Sequence, residues 1–206
     1  MQKQMRYDDK KLLALFEKFM EITRQIDDPH NRKAIERLMD DVGERFFEAP
    51  ASGKLEWHNC FAGGLCAHSM NVYHILKDLC AKFHKDVNPD DIIIAALFHD
   101  LGKAGYNGTP YYVPKNSKWH LEKMGLVYDI NQELNWMPHA QRSVLVLNEY
   151  EVNLSEMVTV GILIHDGQYV EANKSYAMKE GMFPLLVSMA DRLATEIEKN
   201  KWESIQ

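Results

Sequence analysis

His99 and Asp100 close a strongly apolar run, Ile92-Ile93-Ile94-Ala95-Ala96-Leu97-Phe98, and are followed by Leu101-Gly102-Lys103. An unpaired carboxylate at the end of a buried segment is costly, and a metal ion supplies the compensation. Neighbouring residues point to different sides of a regular helix, but at a helix end they can converge. Asp100 is then placed to bridge two ions while His99 binds one of them.

The remaining candidate ligands fall on other segments: His68 and His139 near the starts of two helical patterns, His165 at the end of a third, and Asp191 inside the last. The intervals between them are long enough to hold whole helices. They differ from a local zinc loop and suit a site assembled between several helices of a bundle. Singly, each histidine has an ordinary alternative as a core or incidental residue, and Asp191 has one as an ionic partner of its neighbour Arg192. Their joint arrangement is what points to metal.

Two cations stand close to these residues in the chain. Lys103, four residues beyond His99, is placed to turn back over the site as a phosphate contact, the alternative being a solvated loop lysine. Arg142, three residues beyond His139, shares its face of a regular helix and is a candidate phosphate clamp, against a surface or internal ion pair. His74 follows His68 by six residues, which on a straight helix sends it about 120° away. It is read as no ligand, and His30, His84 and His120 as incidental.

The elements that must position these groups read as helices. Leu12, Leu13, Leu15, Phe16 and Phe19 make an apolar stripe over 10–20, and Ile35, Leu38, Met39, Val42 and Phe46 make another over 31–47. Further helices are expected over 66–84, 91–100, 137–149, 154–165 and 182–202, the last presenting Leu185, Leu186, Met189, Leu193 and Ile197 along one face. The stretch 102–118, rich in glycine and proline, reads as a loop or short hairpin, followed by a short element over 119–125. Its Tyr106, Tyr111 and Tyr112 are read first as loop packing, with a substrate lid or base stacking as the alternative. The expected fold is all-α, about eight helices around one core.

With 206 residues, 46% hydrophobic and 26% charged, the chain suits one ordered domain rather than a disordered segment. A formal charge of -6 argues against a large nucleic-acid footprint over the whole surface, though a local basic groove is compatible with it. The start of the chain lacks a secretory apolar segment and no later run approaches a bilayer span, so a cytoplasmic location and no membrane contact are expected. Cys60, Cys66 and Cys80 are irregularly spaced and read as reduced thiols, neither a disulfide scaffold nor metal ligands.

The ordered set His68, His99-Asp100, His139, His165 and Asp191, with the full string His99-Asp100-Leu101-Gly102-Lys103, resembles the HD-domain metal-dependent phosphohydrolase superfamily. The resemblance covers roughly residues 45–200. The domain is expected to fill 1–206, with 1–44 a helical extension packed on the core. Phe47-Glu48-Ala49-Pro50-Ala51, His58 and Gly63-Gly64-Leu65-Cys66-Ala67-His68-Ser69 look more narrowly like the HD domain of bacterial 3′-to-5′ exoribonucleases and of relaxase-associated proteins. The separate oligonucleotide-binding domain of those exoribonucleases has no room before residue 45. One departure is His165-Asp166-Gly167, where many two-metal relatives carry adjacent histidines. Asp166 is expected behind the ligands, with an oxygen-ligand role as the alternative.

The resemblance implies a bundle with a two-metal site between helices. His68, His99, Asp100 and Asp191 would surround one ion, and Asp100, His139 and His165 its neighbour. Two such ions activate a water and stabilise charge during displacement at phosphorus. The mixed donors favour iron or manganese first, with zinc, cobalt or nickel also suitable, over an all-oxygen magnesium site. For His58 it implies protonation of a leaving oxygen or orientation of phosphate, against plain local hydrogen bonding. The implied function is hydrolysis of a phosphoester or phosphoanhydride in a nucleotide, cyclic nucleotide or short oligonucleotide. The implied partner is a phosphate-bearing small molecule or short nucleic acid, with a homo-oligomer left as an option. Two other classes are open: di-iron oxygenation, known in the same superfamily, and a noncatalytic nucleotide-binding regulatory domain.

Overall fold

The computed structural model describes residues 9–203, with side chains from 10 to 199. The first residues of the expected N-terminal extension and the side chain of Trp202 lie outside them. The elements run α1 (Asp9–Thr23), α2 (Pro29–Glu48), α3 (Gly64–Phe83), α4 (Pro89–Phe98), a 3-10 turn (Leu101–Ala104), β1 (Tyr112–Pro114), α5 (Lys118–Met124), β2 (Tyr128–Ile130), α6 (His139–Glu149), α7 (Glu156–Ile164), a second 3-10 turn (Glu171–Tyr176) and α8 (Met182–Glu203). The architecture is an all-α bundle. Of the stretch expected as a loop or short hairpin, Tyr112–Pro114 form one strand of a small antiparallel ribbon in which Val113 faces Asp129, and α5 comes between the two strands in the chain.

Local chemistry starts these helices where the bundle needs them. Asp28 accepts hydrogen bonds from the His30 and Asn31 amides and Pro29 opens α2, while Asn88 caps Asp90 and Pro89 opens α4. Asp90 also ties the two segments together, because its carboxylate accepts the backbone N–H groups of Asp27 and Asp28, each at 2.9 Å. Ser155 caps α7 and donates to Asp91, which fixes the start of α7 against α4.

α3 lies at the centre, packed on α8, α4, α2 and α1. Phe19 of α1, Phe46 and Phe47 of α2 and Phe98 of α4 form one tilted and edge-to-face aromatic group, so the first two helices share a core with those that follow. The three cysteines are free and buried. Among the described residues no helix is long and apolar enough to cross a membrane.

The face expected for α8 is turned outward. Leu185, Met189, Leu193 and Ile197 are 39–44% exposed, and of the expected stripe only Leu186 is buried. The inner face is instead Phe183, Leu186, Val187, Ala190 and Ala194. Alanines at two of these positions bring the α8 backbone close to α3, and the same rotation points Asp191 into the bundle. A stripe of large apolar residues at intervals of four fits either side of a helix. Here close approach and the placing of a carboxylate decide which side faces in.

Candidate metal centre

Helix ends deliver most of the site. His99 and His165 are the C-cap residues of α4 and α7, Asp100 follows directly, and His139 is the first residue of α6. His68 comes from the buried face of α3 and Asp191 from α8. Each of the two terminal histidines is held by a carbonyl that its helix leaves unpaired: His99 Nδ1 donates to the Ala96 carbonyl at 2.8 Å and His165 Nδ1 to that of Ile162 at 2.7 Å. A carbonyl can only accept, so the Nδ1 positions carry the protons. In the neutral ring the Nε2 lone pairs then face the centre of the site, as a metal ligand requires.

The groups converge in two sets that meet at Asp100. On one side His68 Nε2 lies 2.9 Å from Asp191 Oδ1 and 3.3 Å from His99 Nε2, while His99 Nε2 is 3.4 Å from Asp100 Oδ2. On the other side His139 Nε2 and His165 Nε2 are 3.3 Å apart and each is 3.2 Å from Asp100 Oδ1. One carboxylate therefore offers one oxygen to each set.

The donor set fits divalent ions. Asp100 Oδ1 is buried and, despite its two close ring nitrogens, has no hydrogen-bond partner among the described residues. Both ring nitrogens lie within reach of it, but neither meets it with the geometry of a hydrogen bond. Buried oxygen and nitrogen acceptors crowded in this way need a cation between them.

Electrostatics point the same way. Burial works against ionising Asp100, but Lys103 and His99 outweigh it and hold the carboxyl well below its usual range. Burial likewise opposes charge on Asp191, and its contact with His68 overcomes this, bringing it down to about 2. For His68, burial opposes the charged ring while Asp191 and Glu198 favour it and push it up to about 10. To ligate an ion this ring must give up its Nε2 proton and keep the one on Nδ1.

Glu198 accepts that Nδ1 proton. Its Oε2 lies 3.0 Å from His68 Nδ1 and its Oε1 receives the Asn71 amide at 2.7 Å. Glu198 has no place in the sequence motif and was missed, although it stands seven residues after Asp191 and so on the same helical face. A carboxylate behind a histidine ligand fixes ring orientation and raises its basicity, and its loss costs roughly 10–100-fold in metal affinity. Glu198→Gln is expected to weaken metal retention by about that factor, read by titration with a competing chelator. Unchanged retention would show that the contact does not orient His68.

The other expected site residues take varied positions. Lys103 is buried and donates to Asp100 Oδ2 at 2.7 Å, so its ammonium rests on the shared carboxylate. Arg142 is 4% exposed and donates to the Asn135 carbonyl at 2.9 Å, with its guanidinium 5.8 Å from the Tyr111 ring. Its Nε is buried with no hydrogen-bond partner among the described residues. The His58 ring lies 4.5 Å from that of His68. Burial, then the charges of His68 and Lys103, push it down to about 2, leaving it neutral and a poor acid. Asp166, expected behind the candidate ligands, has its Oδ2 3.3 Å from His139 Nε2, close enough to complete a candidate set with His139 and His165. His74 is exposed and apart from the cluster.

Ser143 locks the backbone under the site. Its buried hydroxyl accepts the Gly102 N–H at 2.8 Å and lies 2.8 Å from the His99 carbonyl and 3.0 Å from that of His139. The 3-10 turn and the start of α6 are thereby joined at the point where His99, Asp100 and His139 emerge.

Comparison with known proteins agrees with this geometry. The dihydroneopterin 2′,3′-cyclic phosphate phosphodiesterase of Methanocaldococcus jannaschii is 32% identical over 101 residues, covering 42% of this chain and 40% of that enzyme. The chain thus matches less than half the length of that curated relative. No solved structure matches. The family model for the HD domain matches residues 65–196, more than half of the chain and the whole span from His68 to Asp191. The chain belongs to the HD-domain family.

Proposed function

We propose that this protein is a metal-dependent phosphohydrolase that opens a phosphoester of a nucleotide-like substrate, with a nucleoside 2′,3′-cyclic phosphate as the first candidate. The observation that carries the reading is Asp100, whose two oxygens face two separate histidine sets. The cyclic phosphodiester is favoured because the Methanocaldococcus jannaschii relative acts on one. The likeness of the Phe47–Ser69 stretch to the exoribonuclease branch supports phosphodiester cleavage as well.

Four imidazoles with Asp100, Asp191 and Asp166 suit two iron or manganese ions, with zinc, cobalt or nickel as substitutes. Such ions supply an activated water and stabilise negative charge on phosphate oxygen. His68, His99 and Asp191 hold one end of the site and His139, His165 and Asp166 the other. Asp100 would offer one oxygen to each end. His139 and Asp166 are the more exposed members, 19% and 38% at the side chain, so the site is open to solvent beside them. Lys103, anchored on Asp100, offers its remaining N–H donors to a phosphate oxygen.

Protein prepared without oxygen and loaded with manganese or iron should hydrolyse nucleoside 2′,3′-cyclic phosphates and lose the activity on chelation. Failure with every metal and with phosphorylated substrates of each class would reject the reading. Lys103→Ala is expected to leave metal content near native while catalytic efficiency falls by about 100-fold, the scale for removing one charged donor from a developing oxyanion. Equal efficiency in the variant across phosphate substrates would remove Lys103 from the reaction.

A further inference from the structure

Beside Lys103 a cavity of about 310 Å3 is walled by Arg45, Glu48, Lys103, Tyr111, Tyr112 and Tyr128 among others. None of its wall except Lys103 belongs to the metal centre. Its volume is at the lower end for small-ligand pockets, roughly 300–1,000 Å3. The Tyr112 and Tyr128 rings come from the two strands of the ribbon, 6.3 Å apart and tilted by 56°, and Tyr111 meets Tyr112 edge-on at 4.9 Å. Aromatic walls of this kind stack on flat rings of any identity.

Selectivity needs polar groups, and the last turn of α2 provides them. Arg45 and Glu48, three residues apart on one face, both line the cavity. Arg45 Nε is enclosed by protein, with no hydrogen-bond partner among the described residues, so the donors Arg45 can present to the cavity it lines are the terminal N–H groups of its guanidinium. Glu48 is exposed and ionised carboxylates only accept. The pair therefore matches a ring edge that has a carbonyl oxygen next to an N–H and an amino group. Guanine has such an edge. Adenine, with an amino group beside an unprotonated ring nitrogen, does not.

We infer that this cavity binds the heterocycle of the substrate and selects a 2-amino-6-oxo purine-type ring. Arg45 binds the carbonyl oxygen, Glu48 the adjacent N–H and amino group, and the tyrosines the ring faces. The inference rests on the phosphohydrolase reading only for the phosphate, which reaches the metal centre past Lys103.

Nucleosides without phosphate separate the two claims. Calorimetric titration of the full chain with guanosine, inosine and adenosine should give guanosine about tenfold tighter than inosine, which lacks the amino group, with adenosine weakest. Glu48→Gln, at an exposed position, should abolish the preference for guanosine over inosine. Arg45→Met should weaken both, and Tyr112→Ala all three. Equal affinities in the unaltered protein, or a guanosine preference that survives Glu48→Gln, would overturn the inference. In that case hydrolysis of glycerol 1,2-cyclic phosphate, which has the scissile bond and no ring, would show the metal-centre reading to stand alone. Guanosine selectivity without turnover of that ester or of guanosine 2′,3′-cyclic phosphate would instead uphold the pocket and reject the phosphohydrolase.

Discussion

Asp100→Ala is expected to strip the protein of both ions and to lower turnover by at least about a thousandfold. Loss of a group behind a ligand costs roughly 10–100-fold, and in the proposed centre Asp100, with one oxygen toward each histidine set, would be a direct ligand on both sides at once. The substitution has a second consequence. Lys103 is buried and its ammonium donates to Asp100, so removing the carboxylate leaves a buried cation without its partner. Breaking such a pair costs roughly 3–5 kcal/mol, unless Lys103 sheds its proton. Burial already favours the neutral amine, and Asp100 is first among the groups that keep it charged. Asp100→Ala,Lys103→Met should therefore recover much of the stability lost in Asp100→Ala while remaining metal-free and inactive. Elemental analysis, turnover and thermal melting of the two variants separate ligand loss from unfolding. Two ions and near-native turnover in Asp100→Ala would remove the carboxylate from the centre.

Gly102→Ala is expected to damage the same site through the backbone. A Cβ on Gly102 would lie 2.2 Å from the His139 carbonyl oxygen and 2.9 Å from Arg142 Cβ. Neither is the far end of a flexible side chain, so the turn and α6 must separate. Overpacking costs typically about 1–3 kcal/mol, and a backbone clash belongs near the top of that range. For a chain of this size about 3 kcal/mol lowers Tm by roughly 6–12 °C. Because His139 begins α6 and Ser143 ties its carbonyl to the turn, the ion held by His139 and His165 should be lost before the one held by His68 and Asp191. Gly43→Ala gives the opposite sign. It sits inside α2, where a Cβ would meet only Met39 and Phe47 side-chain atoms at 3.5 and 3.8 Å, and alanine in a helix gains about 0.5–1 kcal/mol over glycine. A Gly102→Ala protein that melts like the parent and keeps both ions would contradict the packing described for the turn.

What could be read from the sequence, and what could not, follows from how far each signal reaches. The candidate ligands His68, His99, Asp100, His139, His165 and Asp191 are all brought together by the structure, and all sit at ends or inner faces of helices whose apolar spacing marks them. Glu198 escaped because a carboxylate behind a histidine has no local signature. Only the α3–α8 packing brings it to His68. Arg142 shows the limit of same-face reasoning: spacing fixes where its Cβ starts, while the long side chain turns to the Asn135 carbonyl. The outward stripe of α8 shows another, since the pattern gives a period and small residues such as Ala190 and Ala194 decide the side. Asp166 was expected behind the ligands, and its approach to His139 depends on the chain path after α7. Tyr111 and Tyr112, read first as loop packing, are drawn into a cavity wall by a ribbon whose strands pair across α5.

The most direct test is the origin of the oxygen atom added in the reaction. Protein loaded with manganese or reduced iron would be given a nucleoside 2′,3′-cyclic phosphate in oxygen-18 water with molecular oxygen removed, and the product analysed by mass spectrometry. Hydrolysis predicts sustained turnover and a label on the phosphate of the opened product, because water supplies the incoming oxygen. No anaerobic turnover with any suitable metal, together with substrate-dependent oxygen consumption by the reduced-iron form, would contradict it.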